Sequence, residues 1–142
     1  MTLLHGTGLI YEGKGLLIMG PSGSGKSDLA LRMMGRGALL IGDDYIEVSS
    51  AEGGRVIMRA PKNIAGKIEV HNVGLLEVAF QSQAEIDMVF HLVTSVQKLE
   101  RLPFEKMISI EGCRIPCLDF YAFEASAPDK IRAALTIFSG KY

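Results

Sequence analysis

The sequence predicts an α/β domain, a strand-rich mixed β-sheet with helices on its flanks. Three observations carry that expectation. Short apolar runs of strand length recur between turn residues. A Gly-rich stretch, residues 20–27, lies between one such run and a helical pattern. A second helical pattern closes the chain over residues 128–138.

The elements follow in order. Residues 9–11 and 16–19 read as a hairpin around a turn at residues 12–15. After the Gly-rich stretch, Leu29, Leu31, Met33 and Met34 suit one face of a short helix, with Gly35 and Gly37 as stop signals. Residues 38–41 form an apolar run of buried-strand type, ending at Gly42-Asp43-Asp44. Residues 45–49 and 55–59 flank Glu52-Gly53-Gly54, a good hairpin turn. Residues 68–70 and 75–80 are strand candidates around Asn72-Val73-Gly74, and residues 88–93 resemble a buried strand. The polar residues 95–102 read as a short helix or a loop. Residues 108–110 and 115–118 complete the strands. The late helix has Ser126 in place to cap it and Gly140 to stop it.

Composition narrows the function classes. The 142 residues are 48% apolar and 22% charged, with 15 Lys and Arg against 16 Asp and Glu. Such a balance fits one globular domain and disfavours a general nucleic-acid binder, which carries a basic excess. Mean hydropathy is high, +0.24, yet no apolar run approaches the roughly 18 residues of a membrane span. Buried strands, with room for a subunit interface, account for it. No basic region leads into an apolar stretch at the N-terminus, so no signal peptide is expected. Cys113 and Cys117, with His5, His71 and His91 remote from them, do not make a zinc pattern. They read as reduced thiols of a cytoplasmic protein.

Gly20-Pro21-Ser22-Gly23-Ser24-Gly25-Lys26-Ser27 matches G-x-x-x-x-G-K-[ST] in full. Its glycines let consecutive backbone N–H groups curl around phosphate oxygens. Lys26 supplies charge for the β and γ phosphates, and the Ser27 hydroxyl is placed to ligate Mg²⁺. The following helix presents its positive end to the anion. Asp43 and Asp44 close a strand soon afterwards, where P-loop enzymes carry an acidic residue that holds or orients Mg²⁺. With two carboxylates, one can lean on the metal side while the other faces an acceptor as general base. An Asp-Asp turn that merely ends a strand is the alternative, and beside a full P-loop it is the weaker reading. No N-K-x-D motif and no Arg-rich lid segment occurs, which weakens the GTPase and nucleotide-kinase readings.

Together His5-Gly6, the Gly20–Ser27 loop, Arg36-Gly37, Asp43-Asp44 and residues 68–77 (I-E-V-H-N-V-G-L-L-E) resemble the catalytic domain of HPr kinase/phosphorylase. The resemblance runs from about residue 4 to residue 118. It implies an HPr kinase catalytic-domain-like fold and an ATP-dependent serine kinase. The substrate would be HPr, the phosphocarrier of the sugar phosphotransferase system, and a reverse phosphorylase reaction is known in the family. By the same resemblance, Lys26 and the loop hold the phosphates, while Ser27 and Glu69 are the Mg²⁺ ligands. Asp44 is the acid/base, and His5 and Arg101 complete the active site. From residue type alone, His5 also reads as a strand-end histidine, Glu69 as a solvent-facing strand residue and Arg101 as part of a solvated charged stretch.

Residues 1–142 are thus expected to form one P-loop kinase domain without the family's usual N-terminal regulatory domain, and to assemble as the family's hexamer. Where the family reads I-R-G-L-G, this chain has Val70-His71-Asn72-Val73-Gly74, and residues 112–119 lack the family's P-V-K-V-G-R wording. Kinase chemistry with reduced phosphorylase activity is the expectation. A P-loop kinase with another acceptor and a non-catalytic nucleotide-sensing module stay open.

Overall fold

The computed structural model describes residues 1–138. Among the described residues, eleven strands form a nine-stranded mixed sheet and a separate two-stranded ribbon, accompanied by two α-helices. The opening hairpin is β1 (Thr2–Tyr11) and β2 (Lys14–Met19), paired antiparallel from Gly6↔Met19 to Tyr11↔Lys14. β1 therefore begins well before the apolar residues 9–11 that announce it. Its other edge is shared: residues 2–5 pair with β4 (Tyr45–Ala51), and residues 8–10 with β3 (Leu39–Gly42).

The hairpin of β4 and β5 (Arg55–Arg59) forms as expected, with Gly53 and Gly54 both at positive φ in its turn. β5 also receives β8 (Gln83–Glu85), a short polar edge strand that hydropathy does not reveal. Across the chain, β9 (Met88–Leu92) lies parallel to β2 and to β11 (Cys113–Phe120), and β10 (Lys106–Ile110) completes that edge. Residues 95–102 form only a 3₁₀ turn, Val96–Lys98. Residues 68–70 and 75–80 become the ribbon of β6 (Lys67–Val70) and β7 (Gly74–Glu77). The second strand stops short of Phe80, which instead bridges Leu40.

The alternation of β2 and β9 divides the interior. Leu16, Ile18, Met88 and Phe90 meet α1 (Lys26–Met34) and α2 (Ala127–Ile137) through Leu29, Met33, Ile131 and Leu135. Leu17 and Val89 point to the opposite face, with Ile46, Val48, Val56 and Met58. Strands buried on both faces read as continuous apolar runs, which explains the high hydropathy. Glycine is obligatory where β2 begins: a Cβ on Gly15 would lie 1.7 Å from the Glu85 carbonyl oxygen. Ser126 precedes α2 as expected, but its side chain makes no capping hydrogen bond, and Pro128 occupies the first turn instead. Gly140 lies outside the described residues. Among the described residues, no helix is long and apolar enough to cross a membrane.

Candidate active site

The parallel strands β2, β9 and β11 end on one side of the sheet, the position where open α/β sheets bind ligands. There a cleft of about 630 Å³ opens between the Gly-rich loop and the β6–β7 ribbon. Its lining includes His5, Ser22, Lys26, Ser27, Asp43, Asp44, Glu69 and His71.

The loop leaves β2 at Gly20 and enters α1 at Lys26, with Gly23 and Gly25 at φ 79° and 96°. Lys26 Nζ donates to the carbonyls of Gly20 (2.8 Å) and Pro21 (3.1 Å). Burial pushes its ammonium below the ordinary lysine value, against the opposing pull of Asp44 and Asp43. A buried cation beside a helix N-terminus is suited to an anionic ligand. Ser24 Oγ, buried within the loop, has no hydrogen-bond partner in the protein, as expected of a hydroxyl that waits for one. A loop of this shape fits a polyphosphate.

The two aspartates differ sharply. Asp43 is 5% exposed and accepts from Thr7 Oγ1 (2.8 Å), from Ser27 Oγ (2.8 and 3.1 Å) and from the Glu69 amide (3.4 Å). One carboxylate thus joins β1, α1 and β6. Asp44 follows in the left-handed region at φ 74°, and its side chain is 65% exposed. Aspartate is among the few residues that adopt this conformation readily. Here it swings the second carboxylate into the cleft, where His5 Nε2 lies 3.1 Å from Asp44 Oδ1. Tyr45, the register partner of His5, lies beside it with ring centroids 5.4 Å apart and planes tilted by 38°.

Ser27, Asp43 and Glu69 offer only oxygen donors on this side of the cleft, the chemistry Mg²⁺ prefers. No group of three or more His, Cys, Asp or Glu able to hold a metal ion occurs among the described residues. A set of one or two carboxylates and a hydroxyl suits an ion that takes its remaining ligands from phosphates and water.

The structure brings His5, Ser22, Gly23, Gly25, Lys26, Ser27, Asp44 and Glu69 to one cleft. Gly20, Pro21 and Ser24 belong to the same loop. Arg101 is not brought there: it is exposed beyond the 3₁₀ turn and does not line the cleft. Thr7, the buried role of Asp43, and Phe123 were not evident as site features. Asn72 adopts φ 66°, so the residue found where the family has glycine is one that tolerates the turn.

The HPr Serine kinase C-terminal domain signature matches residues 1–125. The chain belongs to this family. It is 35% identical over 113 residues to the HPr kinase/phosphorylase of Bordetella pertussis, covering 73% of this chain and 37% of that protein. It is 34% identical over 124 residues to that of Caldicellulosiruptor bescii, covering 80% and 40%. The chain therefore spans about two-fifths of the curated relatives' length. The solved Hpr(Ser) kinase/phosphatase from Coxiella burnetii superposes with a TM-score of 0.85 at 25% identity, covering 96% of this chain and 95% of that one. The strand-rich mixed sheet expected from the sequence is the HPr serine kinase catalytic-domain fold.

Proposed function

We propose that this chain transfers the γ-phosphoryl group of ATP to a serine hydroxyl of HPr or an HPr-like protein, in regulation of the sugar phosphotransferase system. One observation carries the reading: Asp44, held by His5, faces the same cleft as Lys26 and the loop that fits a polyphosphate. Membership of the HPr serine kinase family supports it.

In this reading the loop amides and Lys26 hold the β and γ phosphates. Asp44 takes the proton from the serine hydroxyl as its oxygen forms a bond to the γ-phosphorus and the bond to the ADP oxygen breaks. His5 orients the Asp44 carboxylate. Asp43 orients the Ser27 hydroxyl and, through the Glu69 amide, sets the ribbon relative to the loop. Ser27 and Glu69 would hold Mg²⁺, which neutralises phosphate charge when bound. Phosphoryl transfer is mostly positioning and charge neutralisation, and these residues supply both.

The same carboxylate would return its proton in a phosphorylase reaction. His71 in the cleft, in place of a permanent bidentate cation, favours the kinase direction. The proposal extends to a cytoplasmic homo-oligomer, a hexamer by family resemblance. Light scattering measures the assembly. Phosphotransfer from γ-labelled ATP and Mg²⁺ to purified HPr tests the activity. Label on an HPr serine, lost in Asp44→Asn, is the expected result. No label with ATP binding intact would leave another acceptor or a nucleotide sensor as the function.

A further inference from the structure

The residues assigned so far serve the phosphate end of the nucleotide. The cleft has another wall, the segment between β11 and α2, and it carries an aromatic ring that core packing does not explain. Phe123 is 50% exposed and lines the cleft. Its ring edge lies against the loop: a Cβ on Gly25 would sit 3.0 Å from Phe123 Cε1 and 3.2 Å from Cζ.

The ring is held there from three directions. Tyr121 meets it edge-on at 5.6 Å and 73°. The Arg32 guanidinium, reaching across from α1, donates to the carbonyls of Ala122 and Glu124, the residues on either side of Phe123. Gly25 closes the third side. By contrast, Phe104 is 94% exposed, outside the cleft lining. Anchoring a ring on both flanking carbonyls while leaving it half open to a polar cleft builds a platform. A ligand whose phosphates occupy the loop and whose other end is flat and apolar would meet this ring in the same cleft.

We propose that Phe123 is the stacking face for the nucleotide base, so that the β11–α2 segment forms the base subsite of this cleft. This inference rests on the nucleotide reading above. Stacking on an aromatic face contributes to binding without reading the base's hydrogen-bonding pattern. An acceptor peptide side chain is the competing occupant, and it would give the wild type no preference for ATP over a bare polyphosphate.

The test compares ATP with inorganic tripolyphosphate, each with Mg²⁺, by calorimetry. The wild-type chain is expected to bind ATP more tightly by about 5- to 150-fold. Phe123→Leu, which keeps apolar contact with Gly25, is expected to weaken ATP alone and close most of that gap. The chain contains no tryptophan, so Phe123→Trp supplies a single tryptophan that can be excited apart from the tyrosines. ATP should quench it and tripolyphosphate should not. Equal wild-type affinity for the two ligands would overturn the base subsite while leaving the phosphate loop in place. So would a gap that persists in Phe123→Leu, or an equal loss for both ligands. Failure of the wild type to bind either ligand would overturn the nucleotide reading itself, and the base subsite with it.

Discussion

The two long walls of the cleft are built differently. On one, residues 15–18 of β2 are buried and α1 sinks Leu29, Ala30 and Met33 completely. On the other, every residue of β7 is exposed and Val73 at the ribbon tip is 83% exposed, while Ile68 of β6 is buried in the core with Val70 packed against it. A two-stranded ribbon is marginal by itself. Ile68, the Val78 amide on the Gly66 carbonyl and the Glu69 amide on Asp43 tie it down. The difference teaches that, in the proposed reading, phosphate is met by a surface continuous with the core, whereas the facing wall is an appended strip tied to it at a few points. Asp43 is the joint between them.

The sharpest way to break this comparison is at Asp44, which in the proposed mechanism serves the chemistry rather than either wall. Asp44→Asn should lower phosphotransfer by about 10²- to 10⁴-fold while leaving the ATP dissociation constant unchanged. A parallel loss of ATP binding would place Asp44 in the nucleotide wall instead. Arg101→Gln, outside the cleft lining, should cost less activity than Asp44→Asn in the same assay. The ribbon's anchor comes next. Ile68→Ala should cost about 2–5 kcal/mol of stability in urea unfolding, whereas Leu75→Ala on the exposed partner strand should stay within about 0.5 kcal/mol. Equal costs would mean that the ribbon is no strip at all. Asp43→Ala strips Thr7, Ser27 and the Glu69 amide of an acceptor, and should cost about 1–3 kcal/mol. Limited proteolysis should then cut within residues 70–76 before the rest of the chain.

The smallest effect lies at Lys26. Burial lowers its proton affinity in the free protein, and an arriving phosphate raises it again. Binding at alkaline pH should therefore take up a fraction of a proton, and affinity should fall as pH rises through the lowered value. Calorimetry in two buffers of different ionisation enthalpy measures that uptake.

The loop was legible because its chemistry lies in eight consecutive residues. The Asp43–Asp44 pair was legible as a pair, but its division of labour was not. Burial of Asp43 depends on Thr7 and on the Glu69 amide, which are distant in sequence and meet it only after β1, β3 and β6 converge. The first half of β1 was missed because His5, Gly6 and Gly8 interrupt its apolar pattern. β8 was missed because three residues, Gln83-Ala84-Glu85, carry too little periodicity to register. Nothing local distinguishes Phe123 from an ordinary surface aromatic. The Arg32 bonds on either side of it and the contact with Gly25 do so, and both partners are distant in sequence.

The shared edge of β1 also bears on the order of assembly. The opening strand serves β2, β3 and β4, all within reach of early synthesis, but β2 is finished on its far side only when Leu16 finds Met88 and β9 in turn finds Cys117. Parallel pairings of such long sequence separation are slow to form, because the chain between must be ordered before they are rewarded. A nascent chain therefore displays its lysine loop early, on a strand that still lacks a neighbour. Until residues 88–92 of β9 are free of the ribosome, that unpaired edge is exposed to other strands, and chaperone capture is most useful during that interval.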